Sequence, residues 1–160
     1  MKLLTFILSF VLAFSMQDLA SVRQKYLNAR TSAEEARKLY EDLESDSNNS
    51  TLTAYKAAAL TLRAKHEKGL LTKKKLFTQG AQLLEATIKK EPDNYEARLI
   101  RLNIQENAPK ITGYNKSIDE DKSFLIKKYN SQKNDLKDFT KGFIKVSTSF
   151  TKEEKAAFLQ

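Results

Sequence analysis

The sequence contains no cysteine and no tryptophan, and its 160 residues include a single histidine, His66. The absence of cysteine excludes disulfide bonds, thiolate nucleophiles and cysteine-bound metals. One histidine cannot build a multi-histidine metal centre. We therefore expect no metal, no cofactor and no catalytic residues, and the protein is not predicted to be an enzyme. Serine, lysine or paired-carboxylate chemistry stays open, although no pattern in the sequence marks the residues that would perform it.

Glycine and proline are also scarce, with four and two residues respectively. This scarcity favours long helices over a sheet with many turns. Alanine, leucine, lysine and glutamate, which are common in the middle of the chain, are good helix formers. Since 41% of the residues are apolar, the chain is long enough to bury the core of one domain. We predict a single all-α domain over residues 16–160.

The N-terminal residues 1–15 have the pattern of a secretory signal peptide. One basic residue precedes an apolar run over residues 3–14, and the small residues Ala13 and Ser15 predict cleavage before Met16. The run is shorter than the ~20 residues that cross a bilayer comfortably. An uncleaved membrane anchor is the alternative. Since no cysteine follows the run, a lipoprotein anchor is excluded, and we expect an exported, periplasmic protein.

The formal net charge of +8 predicts attraction to polyanions, namely anionic lipid, acidic polymer or nucleic acid. Export makes nucleic acid a poor candidate, so we expect no nucleic-acid partner. The lysines gather around residues 65–75 and 122–145 but are interrupted by acidic residues. An ordinary solvated surface is the alternative interpretation of this charge.

Apolar spacing predicts a series of helical hairpins. The first covers residues 17–45, with a turn at 30–32, where Ser32 and Glu35 have the spacing of a capping box. A single continuous helix through this turn is the alternative. A third helix is predicted over residues 52–67.

The stretch from Leu76 to Ile104 predicts helix, turn and helix, and the rest of the chain is organised around it. Pro92 cannot continue a helix, and the residue before it, Glu91, is pushed out of helical geometry. The lysine run 73–75 is expected to open the first of these two helices. The two helices are therefore predicted to fold back on each other.

The loop over residues 106–116 follows this hairpin. Because Ile111 and Tyr114 are its apolar members, we expect both to pack against the body of the protein. Ser117 and Glu120 have capping-box spacing and predict the start of the next helix. The acidic residues in its first turn suit the helix dipole, so they require no metal.

That helix is predicted to continue to residue 129. Another is predicted over residues 135–146, and Thr151 with Glu154 forms a capping box before a short last helix. The C-terminal third holds five of the nine phenylalanines. We expect these rings to close the end of the helical stack, as terminal units must.

The central hairpin resembles the tetratricopeptide repeat, a family of stacked helical pairs with a repeat of ~34 residues. The similarity covers about one repeat, and it departs from the family pattern at Thr87, where alanine is usual. The resemblance implies antiparallel helical hairpins stacked as a short tetratricopeptide-like array. It is carried by Gly80, Ala81, Leu84, Ala86, Ile88, Pro92, Asn94, Glu96 and Ala97.

A second resemblance is carried by residues 98–122, which follow the exported hairpin. This run is similar to small exported proteins of Bacteroidetes-type bacteria. The family brings no established activity, so the resemblance implies only the compartment and the fold.

Stacked helical pairs create a groove that suits an extended peptide or a helix. Tyrosine and arginine are favoured at interfaces, so the groove candidates are Tyr55, Tyr95, Arg98, Arg101 and Tyr114. We expect a binding or adaptor protein whose partner is another envelope protein or peptide. The alternative is a basic protein that contacts an anionic membrane surface or a cell-surface polymer.

Overall fold

The computed structural model describes residues 18–45 and 48–159, and in these ranges it contains helices and no strands. The all-α prediction is confirmed, while the predicted signal peptide lies outside the described residues. Short 3₁₀ helices cover Lys110–Thr112 and Tyr129–Ser131. The α-helices are α1 (Leu19–Ala29), α2 (Ala33–Asp42), α3 (Ser50–His66), α4 (Leu70–Lys90), α5 (Tyr95–Asn107), α6 (Ile118–Lys128), α7 (Asn134–Val146) and α8 (Lys152–Leu159).

The helices stack as antiparallel hairpins, as predicted, but α4 pairs mainly with α3 and only slightly with α5, its predicted partner. Helix α1 pairs with α2, α3 with α4, and α5 with α6. The odd-numbered helices α1, α3 and α5 also contact one another in order along one side of the stack. Helix α7 packs on α5, and α8 packs on α6 and α7, so the last two helices close the C-terminal end.

Polar caps and proline place most of the turns where the sequence predicts them. The Ser32 hydroxyl accepts a hydrogen bond from the Glu35 amide at 3.3 Å and starts α2, so the alternative of one continuous helix is wrong. Asn94 starts α5 by accepting from the Ala97 amide at 3.0 Å. In the predicted capping box, the Thr151 backbone N–H donates to the Glu154 carboxylate, and the Glu154 backbone N–H donates to the Thr151 hydroxyl.

Helices α3 and α4 approach each other most closely at Gly80. A Cβ atom built on Gly80 would lie 2.7 Å from the Ala57 carbonyl oxygen and 2.8 Å from the Thr61 Cγ2 atom. The facing side of α3 is rich in alanine, and Ala57 and Ala58 are fully buried. Small residues on both helices therefore set the distance between them.

The core has two parts, and α5 forms the wall between them. On one face of α5, Ala97 and Ile100 belong to a core shared with α1 to α4. On another face, Leu99 and Leu102 belong to a core shared with α6, α7 and α8. The phenylalanines of the C-terminal third pack in or against this second core, as predicted: Phe124, Phe139, Phe143, Phe150 and Phe158.

Three local predictions are wrong. Ile111 does not pack against the body, because 97% of its surface is exposed. The Ser117 side chain makes no cap hydrogen bond, since Glu120 turns away from it to pair with Arg98. Helix α4 begins at Leu70, one turn before the lysine run that was expected to open it.

Two alanine substitutions test the close packing at Gly80. Gly80→Ala is expected to lower the free energy of unfolding by about 1–3 kcal/mol, because the added methyl group meets the backbone of α3. Gly142→Ala is the matched control in α7, where the added methyl group meets nothing within 4 Å. It should raise stability by about 0.5–1 kcal/mol, because alanine is the better helix former. Urea unfolding followed by circular dichroism measures both, and equal effects would contradict this account of the packing.

Candidate functional site

Helix α5 is buried on every side. Each residue from Tyr95 to Gln105 is buried, although Glu96, Arg98 and Arg101 carry charges. Removing a charged side chain from water costs several kcal/mol unless a partner of opposite charge and further hydrogen bonds accompany it. The helices around α5 must therefore supply these partners, and the structure shows two clusters that do so.

The first is the Arg23 cluster, which consists of Arg23, Tyr55, Glu96 and Asp135. Arg23 Nε donates to Glu96 Oε1 at 2.6 Å, and Nη2 donates to Glu96 Oε2 at 2.9 Å. Its remaining Nη1 atom donates to Asp135 Oδ2 at 2.7 Å. The Tyr55 hydroxyl also donates to Glu96. The bidentate pair of Arg23 and Glu96 thus joins α1 to α5, and its contacts with Tyr55 and Asp135 add α3 and α7.

The second is the Asp121 cluster, which is centred on Asp121, Arg98 and Arg101. Asp121 is fully buried and accepts from Arg101 Nε and Nη2, both at 2.7 Å, and from Arg98 Nη1 at 3.1 Å. Arg101 Nη1 also donates to Glu85 at 2.8 Å, and Arg98 Nη1 donates to Glu120 at 2.7 Å. The cluster ties α4, α5 and α6 together.

Hydrogen bonds extend the Asp121 cluster into the loop after α5. The Tyr114 hydroxyl donates to Glu85 Oε1 at 2.6 Å, and Gln105 Nε2 donates to Asp121 at 3.3 Å. The other amide atom of Gln105 accepts from the Ser117 backbone N–H at 2.8 Å. Tyr114 also packs edge-on against Phe77. The loop is therefore held to the body through Tyr114, as predicted.

Burial and ion pairing shift the pKa values of several residues in the two clusters. Hydrogen bonding to Glu96 raises the pKa of Arg23, and hydrogen bonding to Arg98 lowers the pKa of Glu120. Hydrogen bonding to Arg23 likewise lowers the pKa of Asp135. Burial, together with the charge of Glu96, raises the pKa of Tyr55 well above its ordinary value. Burial raises the pKa of Asp121, and the hydrogen bonds and charges of Arg101 and Arg98 act against this rise. The ion pairs of both clusters join helices to one another.

The five predicted groove residues are buried or half-buried in the structure. Tyr55 belongs to the Arg23 cluster, and Arg98, Arg101 and Tyr114 meet in the Asp121 cluster. Tyr95 lies apart in the second core, where its hydroxyl makes no hydrogen bond of ordinary geometry. Four of the five are buried, and Tyr114 is half-buried at the edge of a cleft of about 250 Å³. The five residues do not form an open groove in this structure.

Arg23, Glu96 and Asp121 were not among the candidate site residues predicted from the sequence. A signal for them was present, because apolar residues occur on all sides of α5 between Ala97 and Ile104. A helix that is apolar all round is buried, and its charged residues then need partners on other helices. The acidic residues of α6 were instead assigned to the helix dipole, which requires no partner.

A cleft with a volume of about 310 Å³ lies between α1, α5 and α7. Leu27 of α1 is exposed beside it, at 40% of its surface. Leu99 and Ile100 of α5 also line the cleft. Leu99 is a buried member of the second core, and Ile100 is a buried member of the first. The apolar lining consists of Tyr26, Leu27, Leu99, Ile100, Phe139 and Phe143.

A few polar groups accompany this apolar lining. Arg30 and Asp138 bring opposite charges to the cleft, and the Tyr26 hydroxyl donates to Asn103 Oδ1 at 2.9 Å inside it. Gly142 also lines the cleft, and a Cβ atom there would meet nothing within 4 Å. Apolar walls with a small number of placed polar groups are typical of a binding site.

The described residues contain no group of three or more histidine, cysteine, aspartate or glutamate side chains that could hold a metal ion. In the same part of the chain, no helix is long and apolar enough to cross a membrane. No protein-family model, curated protein or solved structure matches this chain.

Substitutions at two neighbouring carboxylates test the structural role of the Asp121 cluster. Asp121→Asn is expected to lower the free energy of unfolding by about 3–5 kcal/mol, because it leaves two buried guanidinium groups without their shared anion. Glu120→Gln is the matched control, since it removes a carboxylate that pairs with Arg98 but is 60% exposed. It should cost only about 0.2–1 kcal/mol. Urea unfolding measures both variants, and similar losses for the two would contradict the structural role assigned to Asp121.

Proposed function

We propose that this protein is a non-catalytic binding protein of the bacterial envelope. In this proposal the cleft between α1, α5 and α7 holds an apolar peptide or helical segment of another envelope protein. The observation that carries the proposal is the apolar cleft itself, which lies on the side of the stack formed by the odd-numbered helices.

The same side of the stack already binds one helix of the protein. Helix α7 lies against α5 and reaches α1, where Asp135 pairs with Arg23 at 2.7 Å. The guanidinium group of Arg23 also stands 5.8 Å from the centre of the Phe139 ring. In this intramolecular contact an aromatic ring packs against the apolar side chains, and a carboxylate pairs with Arg23. A partner segment with the same kinds of side chain would suit this side of the stack.

The size and charge of the cleft define what it could take. A volume of about 310 Å³ is at the lower end of the ~300–1,000 Å³ range of ligand sites. It suits a few apolar side chains of a peptide better than a large cofactor. Arg30 and Asp138 would then select a segment with charges of both signs beside its apolar residues, and so fix its direction.

Two features of the sequence support the envelope setting and the mode of binding. The apolar run before Met16 has the pattern of a secretory signal peptide. The resemblance of the central hairpin to tetratricopeptide repeats implies a binding role, because stacked helical pairs form surfaces for extended peptides and helices. Both agree with an exported adaptor.

Site-directed photocrosslinking in the native cells tests this proposal. A photoreactive residue at position 27, at the cleft, is expected to capture one defined envelope protein. The same residue at position 82, on the exposed side of α4, should not capture it. Introducing Gly142→Phe should abolish capture from position 27, because a large side chain would project into the open cleft. Gly142→Ala is the matched control and should leave capture intact.

Capture that is equal at both positions, or that survives Gly142→Phe, would contradict binding in the cleft. The intact mass of the recovered protein tests the compartment separately. A chain that begins at Met16 supports export, and a chain that retains residues 1–15 in the cytoplasmic fraction would contradict it.

A further inference from the structure

The turn between α3 and α4 exposes two large apolar side chains. Leu70 and Leu71 are the first two residues of α4, and they are exposed over 78% and 84% of their surfaces. Neither contributes to the two cores. The two adjacent leucines form an exposed apolar patch, and such patches are typical of surfaces that contact a protein or a membrane.

Lysines surround this leucine pair. Lys74 and Lys75 follow Leu70 and Leu71 at a spacing of four, which places each lysine one helical turn behind a leucine on the same exposed face. Lys68 lies on the other side of the pair and is also exposed. Among the described residues, none of these three lysines forms an ion pair. Their charge is therefore available to a partner.

The single acidic side chain of this region is bound to the backbone of its own turn. Residues 63–75 contain six basic residues and one acidic residue, Glu67. Glu67 Oε1 accepts from the backbone amides of Lys68 and Gly69, at 2.8 and 2.9 Å, and so closes the turn. The region as a whole carries +5 of the formal net charge of +8. Its electrostatic field is thus strongly positive.

The start of α4 is poorly optimised for stability. Gly69 supplies no side-chain cap, the first turn contains no acidic residue, and the lysine run begins at Lys73. Positive charge near a helix N-terminus opposes the helix dipole. A segment that combines several unfavourable local features without a compensating contact in the fold is expected at a functional surface.

We propose that residues 68–75, which we call the α4 tip, dock this protein onto the surface of an anionic phospholipid bilayer. Leu70 and Leu71 enter the boundary between headgroups and acyl chains, while the lysines behind them stay at the depth of the lipid phosphates. Apolar side chains at the leading edge and basic residues just behind them are the features that hold proteins in this interface. The proposal is independent of the proposed function of the cleft.

The absence of tryptophan from the sequence allows a direct test. Leu71→Trp in the full chain introduces a single fluorescent reporter at the α4 tip. With vesicles of phosphatidylglycerol and phosphatidylethanolamine, its emission should shift to the blue as the ring leaves water, and vesicles of phosphatidylcholine should cause little shift. Ile111→Trp is the matched control at another exposed apolar position. It should show no shift, and any contribution of the apolar N-terminal run is the same in both proteins.

Charge-neutralising variants of the reporter protein test the lysines. Lys74→Gln with Lys75→Gln should weaken binding to anionic vesicles about 25-fold, because each lysine near the surface contributes about fivefold. Lys89→Gln with Lys90→Gln removes the same charge from an exposed pair at the other end of α4 and should have little effect. Salt at about 1 M, where the Debye length falls to about 3 Å, should weaken binding of the unmodified reporter protein.

Three results would overturn the proposal. The first is an emission at position 71 that does not change with anionic vesicles. The second is an equal loss of binding for the two lysine pairs. The third is that the reporter protein binds soluble heparin as tightly as it binds vesicles, with no blue shift of its emission. This result would identify an acidic polymer as the partner.

Discussion

The burial of charge on α5 is the constraint on which the rest of the structure depends. This helix separates the two cores, and it carries Glu96, Arg98 and Arg101 where water does not reach. Arg23 of α1 and Asp121 of α6 supply the opposite charges. A helix displaced by one turn would leave a buried charge unpaired, at a cost of about 3–5 kcal/mol. The pairs therefore select which helices surround α5 and in which register they pack.

This use of charge decides which surfaces stay available to partners. The arginines and tyrosines of the two clusters are largely buried, whereas the α4 tip exposes leucine and lysine. The cleft is lined mainly by apolar side chains, together with Tyr26 and Arg30. The end of α3 lies beside the cleft, because Lys65 Nζ donates to the backbone carbonyl of Arg30 at 2.8 Å, and Arg30 lines the cleft.

Local signals in the sequence were sufficient to place most of the helices. Pro92 ends one helix, and capping residues such as Ser32 and Thr151 start others, because each acts through hydrogen bonds or geometry within a few residues. The candidate site could not be predicted in the same way. Arg23 and Glu96 are 73 residues apart, and only the packing of α1 against α5 brings them together. Glu120 shows how a long-range contact overrides a local signal, because its spacing from Ser117 predicts a capping box, whereas its side chain pairs with Arg98.

Native-state amide hydrogen exchange of the full chain tests the central role of α5 most directly. If the two cores depend on this helix and its paired charges, the amides of α5 exchange only through global unfolding and are among the slowest in the protein. The amides of α8, at the end of the stack, should exchange sooner through local opening. Exchange of the α5 amides at a lower free energy than those of α3 would show that the first core stands without α5, and it would contradict this account.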